Sequence, residues 1–214
     1  LHLCPPGLAP AEEPTWCDVL PLRPMAPGGA SEPGLMRRIE ALPHARTVFV
    51  TLGTVYGRNT AALAAAIEGL RSLAVNLIVA VGPKGDPSLF GGCGQHVLIE
   101  RLVPLASVLA RCDAVVSQGG SGVMLGAMAL GLPQLMLPQG ADQFRNAEVC
   151  TPTGAALALA PRDATPDTIR DGLRKVLRMT RQELHALGRR SRAFVERWHD
   201  PLKIAGQMKS AYET

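Results

Sequence analysis

From Arg46 onward, short aliphatic and β-branched runs alternate with helical segments, and this alternation leaves few folds open. A strand, a crossover helix and a further strand return in parallel and build a sheet covered by helices. The first strand is expected over 47–52. The helix after it spans 59–73, with Leu63, Ala66, Ile67 and Leu70 on one face at the i, i+3, i+4, i+7 spacing. Further strands are expected over 75–81, 97–101, 114–117, 134–137 and 155–160. Helices are expected over 105–111, 123–130 and 142–150, with a long amphipathic one opening at Pro166. The fold class is therefore α/β: a Rossmann-like parallel sheet of about six strands with helices on both faces. Residues 4–34 hold eight prolines and four glycines, which suits a connector rather than a helix or central strand. The domain plan is a linker and N-terminal extension over 1–34 and one folded domain over 35–214.

Composition removes several classes of function. The chain has 214 residues, 47% hydrophobic and 19% charged, enough to bury a core. Residues 162–214 carry 12 Lys or Arg against 7 Asp or Glu, a local excess of +5, and the rest carries 10 against 11. Two Trp, two Tyr and four Phe are too few for a base-stacking platform, so no nucleic-acid partner is expected. The Arg-rich segment with Arg181, Arg189, Arg190 and Arg197 interleaves Leu184, Leu187, Phe194 and Trp198, which reads as a packing helix with a solvated basic face. The stretch over 114–141 runs 28 residues without a charge, yet its glycines, glutamines and prolines break it into buried strands and a core helix. No membrane span is expected. Cys4, Cys17, Cys93, Cys112 and Cys150 are odd in number and lack ligand spacing, so free thiols, a reducing cytoplasmic setting and no metal site are expected. The start at Leu1 rather than Met reads as a piece of a longer polypeptide.

Ligands of open parallel sheets bind beyond the carboxyl ends of the strands, which directs attention to four loops. These carry Gly53 and Thr54; Leu102 and Val103; Gln118, Gly119, Gly120, Ser121 and Gly122 followed by Val123; and Asp142 with Gln143. The glycine-rich turn before a helix lets backbone N–H groups approach an anion, and a phosphate fits there. The same turn also suits close packing, and on spacing alone both readings stand. Neither the P-loop nor the GxGxxG spacing is present. Thr54 offers a hydroxyl to the phosphates or a cap to the next turn. Asp142 is a helix N-cap or, with Gln143, a bidentate partner for adjacent sugar hydroxyls.

The run Ser117-Gln118-Gly119-Gly120-Ser121-Gly122, then Gly131-Leu132-Pro133-Gln134, then Leu137 to Glu148, resembles the donor-binding half of family 1 glycosyltransferases of the GT-B fold. Residues 50–54 and 100–104 resemble further motifs of that family, so the likeness covers most of 46–160. The bacterial enzymes that move deoxysugars from nucleotide diphosphates to polyketide-like aglycones are the nearest in flavour. The resemblance implies one half of a GT-B fold. Leu102 and Val103 would meet the base, Thr54 and the backbone of Gly119 to Gly122 the diphosphate, and Asp142 and Gln143 the sugar. It implies an inverting transferase using a TDP- or UDP-sugar, a hydroxyl acceptor on a small hydrophobic natural product, no cofactor and no metal.

Two positions depart from the family. Gln118 stands where the family has His, and Val123 where it commonly has Thr or Ser. A charge-assisted hydrogen bond contributes roughly 1.5–3 kcal/mol against roughly 0.5–1.5 for a neutral amide, so leaving-group stabilisation falls by about one to two factors of ten. A specialised transferase follows, or a non-catalytic binding or partner module. In the family the catalytic base lies in an N-terminal, acceptor-binding domain. His2, His44, His96, His185 and His199 match no such motif, and no catalytic residue is assigned.

Overall fold

A computed structural model of the chain describes residues 32–53 and 60–178. Six strands, β1 (Thr47–Thr51), β2 (Asn76–Ala80), β3 (Val97–Glu100), β4 (Ala114–Ser117), β5 (Gln134–Met136) and β6 (Ala156–Ala158), form one sheet in the order β3-β2-β1-β4-β5-β6. All five pairings are parallel. This is the expected sheet, with each strand trimmed at its ends except β4.

Side chains alternate across the sheet, and the near-continuous hydrophobic runs of β1, β2 and β4 follow from burial on both faces. Val48, Val50, Leu77, Val79, Val116 and Leu135 face one core with helices α2 (Thr60–Leu70) and α6 (Pro166–Arg178). Phe49, Ile78 and Val115 face a second core with α1 (Pro33–Glu40) and α3 (Leu105–Leu109). Met136 belongs to a third cluster beneath α4 (Ser121–Ala129) and α5 (Gln143–Cys150). Helix α1 opens with Pro33 at its first turn, where the missing N–H costs nothing, and so begins two residues before the boundary placed at 35. Helix α6 opens with a reciprocal cap: Thr168 N–H donates to Thr165 Oγ1 at 3.3 Å and Thr165 N–H to Thr168 Oγ1 at 2.9 Å.

Cys93 and Cys112 are free thiols, and Cys150 is buried at the end of α5. Burial, helped by the Asp113 carboxylate, pushes the Cys112 thiol up to about 12, so it stays protonated at neutral pH. His44 and His96 meet edge to face, ring centroids 5.3 Å apart, where the chain enters β1 and β3. That is the amino edge of the sheet, opposite the four loops. Among the described residues no helix is long and apolar enough to cross a membrane. Residues 1–31 of the linker, Thr54, the remaining three histidines and the Arg-rich segment beyond 178 lie outside the described residues, Cys4 and Cys17 with them.

Helices α2 and α6 approach closely because Gly69 has no side chain: a Cβ there would fall 2.2 Å from the Pro166 carbonyl oxygen. Gly69→Ala is expected to destabilise the domain by about 1–3 kcal/mol through overpacking. At Gly34, inside α1, an added Cβ meets nothing within 4 Å. Gly34→Ala is expected to be neutral or stabilising by up to about 1 kcal/mol. Urea unfolding midpoints check the contrast, and equal midpoints for the two variants would count against the close helix approach.

Candidate functional site

Strand order places the four loops along one edge of the sheet. Between β1 and β4 the order reverses direction, the point where crevices open in such sheets. Gly53, at φ +76°, leaves β1 there, and its N–H donates to Thr51 Oγ1 at 3.2 Å. Gln118 leaves β4 beside it. A Cβ on Gly53 would lie 1.9 Å from Gln118 Nε2, and one on Gly120 2.8 Å from the same atom. The Gln118 carboxamide thus fills the gap between Gly53 and Gly120. Both glycines have a packing reason to be glycine. Gln118 is 7% exposed, and its Oε1 is buried without a hydrogen-bond partner. Such an orphan costs about 1–3 kcal/mol, and Gln134 Oε1, fully buried in β5, is left in the same state.

The turn after Gln118 is set by Gly119 at φ +82°, a left-handed conformation that side chains disfavour. Its N–H donates to Ser117 Oγ at 3.1 Å. Helix α4 starts at Ser121, two residues before the expected 123, so Ser121 and Gly122 belong to its first turn. The first helical hydrogen bond runs from Met124 N–H to the Gly120 carbonyl at 3.0 Å. The N–H groups of Ser121, Gly122 and Val123 therefore precede the hydrogen-bonded ladder, and no side chain caps them. With the helix dipole they present a donor-rich, partially positive end. Val123 itself packs, half-buried, against the second core.

Asp142 precedes α5 but does not cap it. The N-cap reading is corrected here: the backbone is helical at φ −72°, ψ −7°, and the carboxylate turns toward α4 instead. Its Oδ2 accepts from Ser121 Oγ at 2.8 Å and from Asn146 Nδ2 at 3.1 Å. Ala141, just before it, has φ +53°, the one non-glycine residue with positive φ among those described. Such a conformation costs on the order of 1–3 kcal/mol and gathers at functional sites. Gln143 is 4% exposed, and its Oε1 accepts from the Gln139 N–H at 2.8 Å and the Gly140 N–H at 3.2 Å. The oxygen of Gln143 closes its own turn. Only its amide nitrogen is left for a ligand, which narrows the bidentate reading of the pair.

Leu102 leaves β3 and is 56% exposed, while Val103 packs against the second core. Phe144 is half exposed at the start of α5. Asn146 is the residue that motif reasoning passes over. It is 8% exposed and donates to Gly119 O at 2.8 Å, Ser121 Oγ at 3.2 Å and Asp142 Oδ2. The available signal is its position four residues after Asp142, one helical turn on the same face. Among the described residues no group of three or more His, Cys, Asp or Glu is placed to hold a metal ion.

Residues 61–190, more than half of the chain, match the family of erythromycin biosynthesis protein CIII-like C-terminal domains. The elloramycin glycosyltransferase ElmGT of Streptomyces olivaceus is 37% identical over 140 residues, 64% of this chain and 36% of that protein. The L-demethylnoviosyl transferase of Streptomyces niveus is 34% identical over 168 residues, 76% of this chain and 42% of that protein. Among solved structures, the glycosyltransferase VinC in complex with dTDP superposes with a TM-score of 0.81 at 25% identity, covering 100% of this chain and 52% of VinC. The chain thus spans about half or less of the length of these relatives. It belongs to the erythromycin biosynthesis protein CIII-like C-terminal domain family, the C-terminal half of GT-B natural-product glycosyltransferases.

Proposed function

We propose that this domain binds the nucleotide-sugar donor of an inverting glycosyltransferase and presents the sugar to an acceptor held by an N-terminal domain of the same enzyme. One observation carries the reading: the order of the loops along the sheet edge. Leu102 and Val103 follow β3, Gly53 follows β1, 118–123 follow β4 and Asp142 follows β5. Four strand spacings separate β3 from β5, roughly 19 Å at about 4.8 Å each. An extended nucleotide sugar presents base, diphosphate and hexose in that same sequence over a comparable length. The base lies along the apolar surface of Leu102 and the backbone of Val103. The diphosphate lies at the β1–β4 crevice, facing the free N–H groups of Ser121, Gly122 and Val123 and the Gln118 amide. The sugar hydroxyls meet Asp142 Oδ1 and the Gln143 amide nitrogen.

In the transfer, the acceptor oxygen forms its bond to the anomeric carbon from the face opposite the diphosphate. The C–O bond to the diphosphate breaks, the leaving group takes the electron pair, and the acceptor proton passes to a base in the N-terminal domain. The α4 N-terminus and Gln118 stabilise the charge that develops on the diphosphate, without a protein-held metal. Thymidine diphosphate in VinC supports a TDP-sugar as donor, and the names of the relatives support a small natural-product acceptor. The likeness to named glycosyltransferases weighs against a non-catalytic module.

Calorimetric titration tests the donor reading. TDP or UDP is expected to bind in preference to ADP and to do so without magnesium; equal binding of ADP, or binding only with magnesium, would overturn it. Asp142→Ala is expected to weaken TDP-glucose binding about tenfold, the loss of a charge-assisted hydrogen bond, and to change TDP binding little. Equal losses for both ligands would move the sugar subsite elsewhere. In the full-length transferase Gln118→His is expected to raise turnover up to about tenfold, with a new ionisation in the pH profile near the ordinary imidazole range. Unchanged turnover would remove Gln118 from the leaving-group contact.

A further inference from the structure

The carboxylate of Asp142 sits on an exposed turn, and an aspartate χ2 torsion is intrinsically broad. Its orientation must come from outside the residue. Both donors to it converge on one oxygen, Oδ2: the Ser121 hydroxyl at 2.8 Å and the Asn146 amide at 3.1 Å. That leaves Oδ1 as the oxygen presented outward. The Asn146 amide has two hydrogens and three acceptors within reach. The shortest contact, 2.8 Å, goes to the Gly119 carbonyl, and the second hydrogen is shared between Ser121 Oγ and Asp142 Oδ2. Holding the Gly119 carbonyl also sets the next peptide plane, because in a trans peptide the N–H of Gly120 points opposite to that carbonyl. One buried side chain therefore orients the carboxylate beyond β5 and the glycine turn beyond β4.

On the donor-site reading above, we infer that Asn146 is a positioning residue: it locks the sugar-binding carboxylate of Asp142 to the diphosphate-binding turn at Gly119, so that the two subsites act as one unit. Asn146 itself touches neither ligand group in this arrangement. Its backbone anchor is firm, since it lies in α5 beside the buried Ala147 and its N–H donates to the Asp142 carbonyl at 2.8 Å. Low exposure strengthens the shared hydrogen bonds and makes their loss hard for water to replace. The expected signature is coupling: Asn146 matters to sugar recognition through Asp142, and its effect shrinks when Asp142 is gone.

The test is a double-mutant cycle on the intact 214-residue chain, read by calorimetry with TDP-glucose and with TDP. Asn146→Ala is expected to weaken TDP-glucose binding about tenfold, and the same substitution in an Asp142→Ala background only about two- to threefold, the share carried by its hold on the Gly119 carbonyl and seen equally with TDP. Equal losses in the two backgrounds would reduce Asn146 to a structural residue and overturn the inference. Asn146→Asp keeps the side-chain volume but removes the donor, and is expected to lose at least as much as Asn146→Ala. Retention of wild-type affinity by Asn146→Asp would also overturn it. Should the Asn146 variants fail to fold, Ser121→Ala provides a second route, because Ser121 is exposed and removal of its hydroxyl takes away the other donor to Oδ2. Ser121→Ala is expected to lose about two- to fivefold for TDP-glucose with TDP little changed, and no loss would overturn the inference. A wild-type chain that binds neither ligand defeats the donor-site reading itself, whereas wild-type binding without coupling defeats only the role of Asn146.

Discussion

Direct pairing of β1 with β4 is the constraint on which the remainder of this domain depends. These strands are distant in sequence, yet their register, Val48 opposite Ala114 to Thr51 opposite Ser117, brings Gly53 and Gln118 to the same corner of the sheet. The sheet then grows outward in both directions, β2 and β3 on one side, β5 and β6 on the other. Because every pairing is parallel, each strand delivers its following loop to one edge. A linear row of loops results, and a linear ligand is what such a row can bind.

At the centre of that row, the physical chemistry is dominated by amides rather than charges. Gln118 lies over Gly53 and Gly120 with its Oε1 unpaired, and α4 begins immediately afterward with uncapped N–H groups. Further along, Gln143 and Asn146 use their amides in opposite senses. The Gln143 oxygen accepts from backbone N–H groups of its own turn, and the Asn146 nitrogen donates to the neighbouring one. Together they hold two irregular turns, one containing Gly119 and the other the strained Ala141, without a charged pair buried between them. Neutral amides carry a smaller desolvation cost than ions, which suits the proposed diphosphate subsite.

The sheet, its parallel sense, the helix faces and the four loops were all legible in the sequence. Hydrophobic periodicity is a local property, and Leu63, Ala66, Ile67 and Leu70 are buried where their spacing placed them. Element ends were less legible, as at α4, where Ser121 and Gly122 look like turn residues but enter the helix. Glycine and serine read as turn signals until a tertiary contact satisfies the neighbouring backbone, and here Asn146 holds the Gly119 carbonyl. Asp142 illustrates the same limit. A residue before a helix reads as a cap by position, but Ser121 and Asn146 compete for the carboxylate and win it.

The amino-acid sequence alone therefore determined the α/β class and the sheet edge where chemistry belongs, because both follow from local period and composition, while the likeness to a donor-binding half rests on the match of residues 117–148 to a known family. Tertiary structure alone decided which atoms of that motif are available to a ligand. The Gln143 oxygen and Asp142 Oδ2 are already engaged, Asp142 Oδ1 and the α4 N–H groups are not, and Gln118 owes its place to Gly53 across the sheet. These outcomes rest on contacts between segments far apart in the chain, which no local pattern encodes.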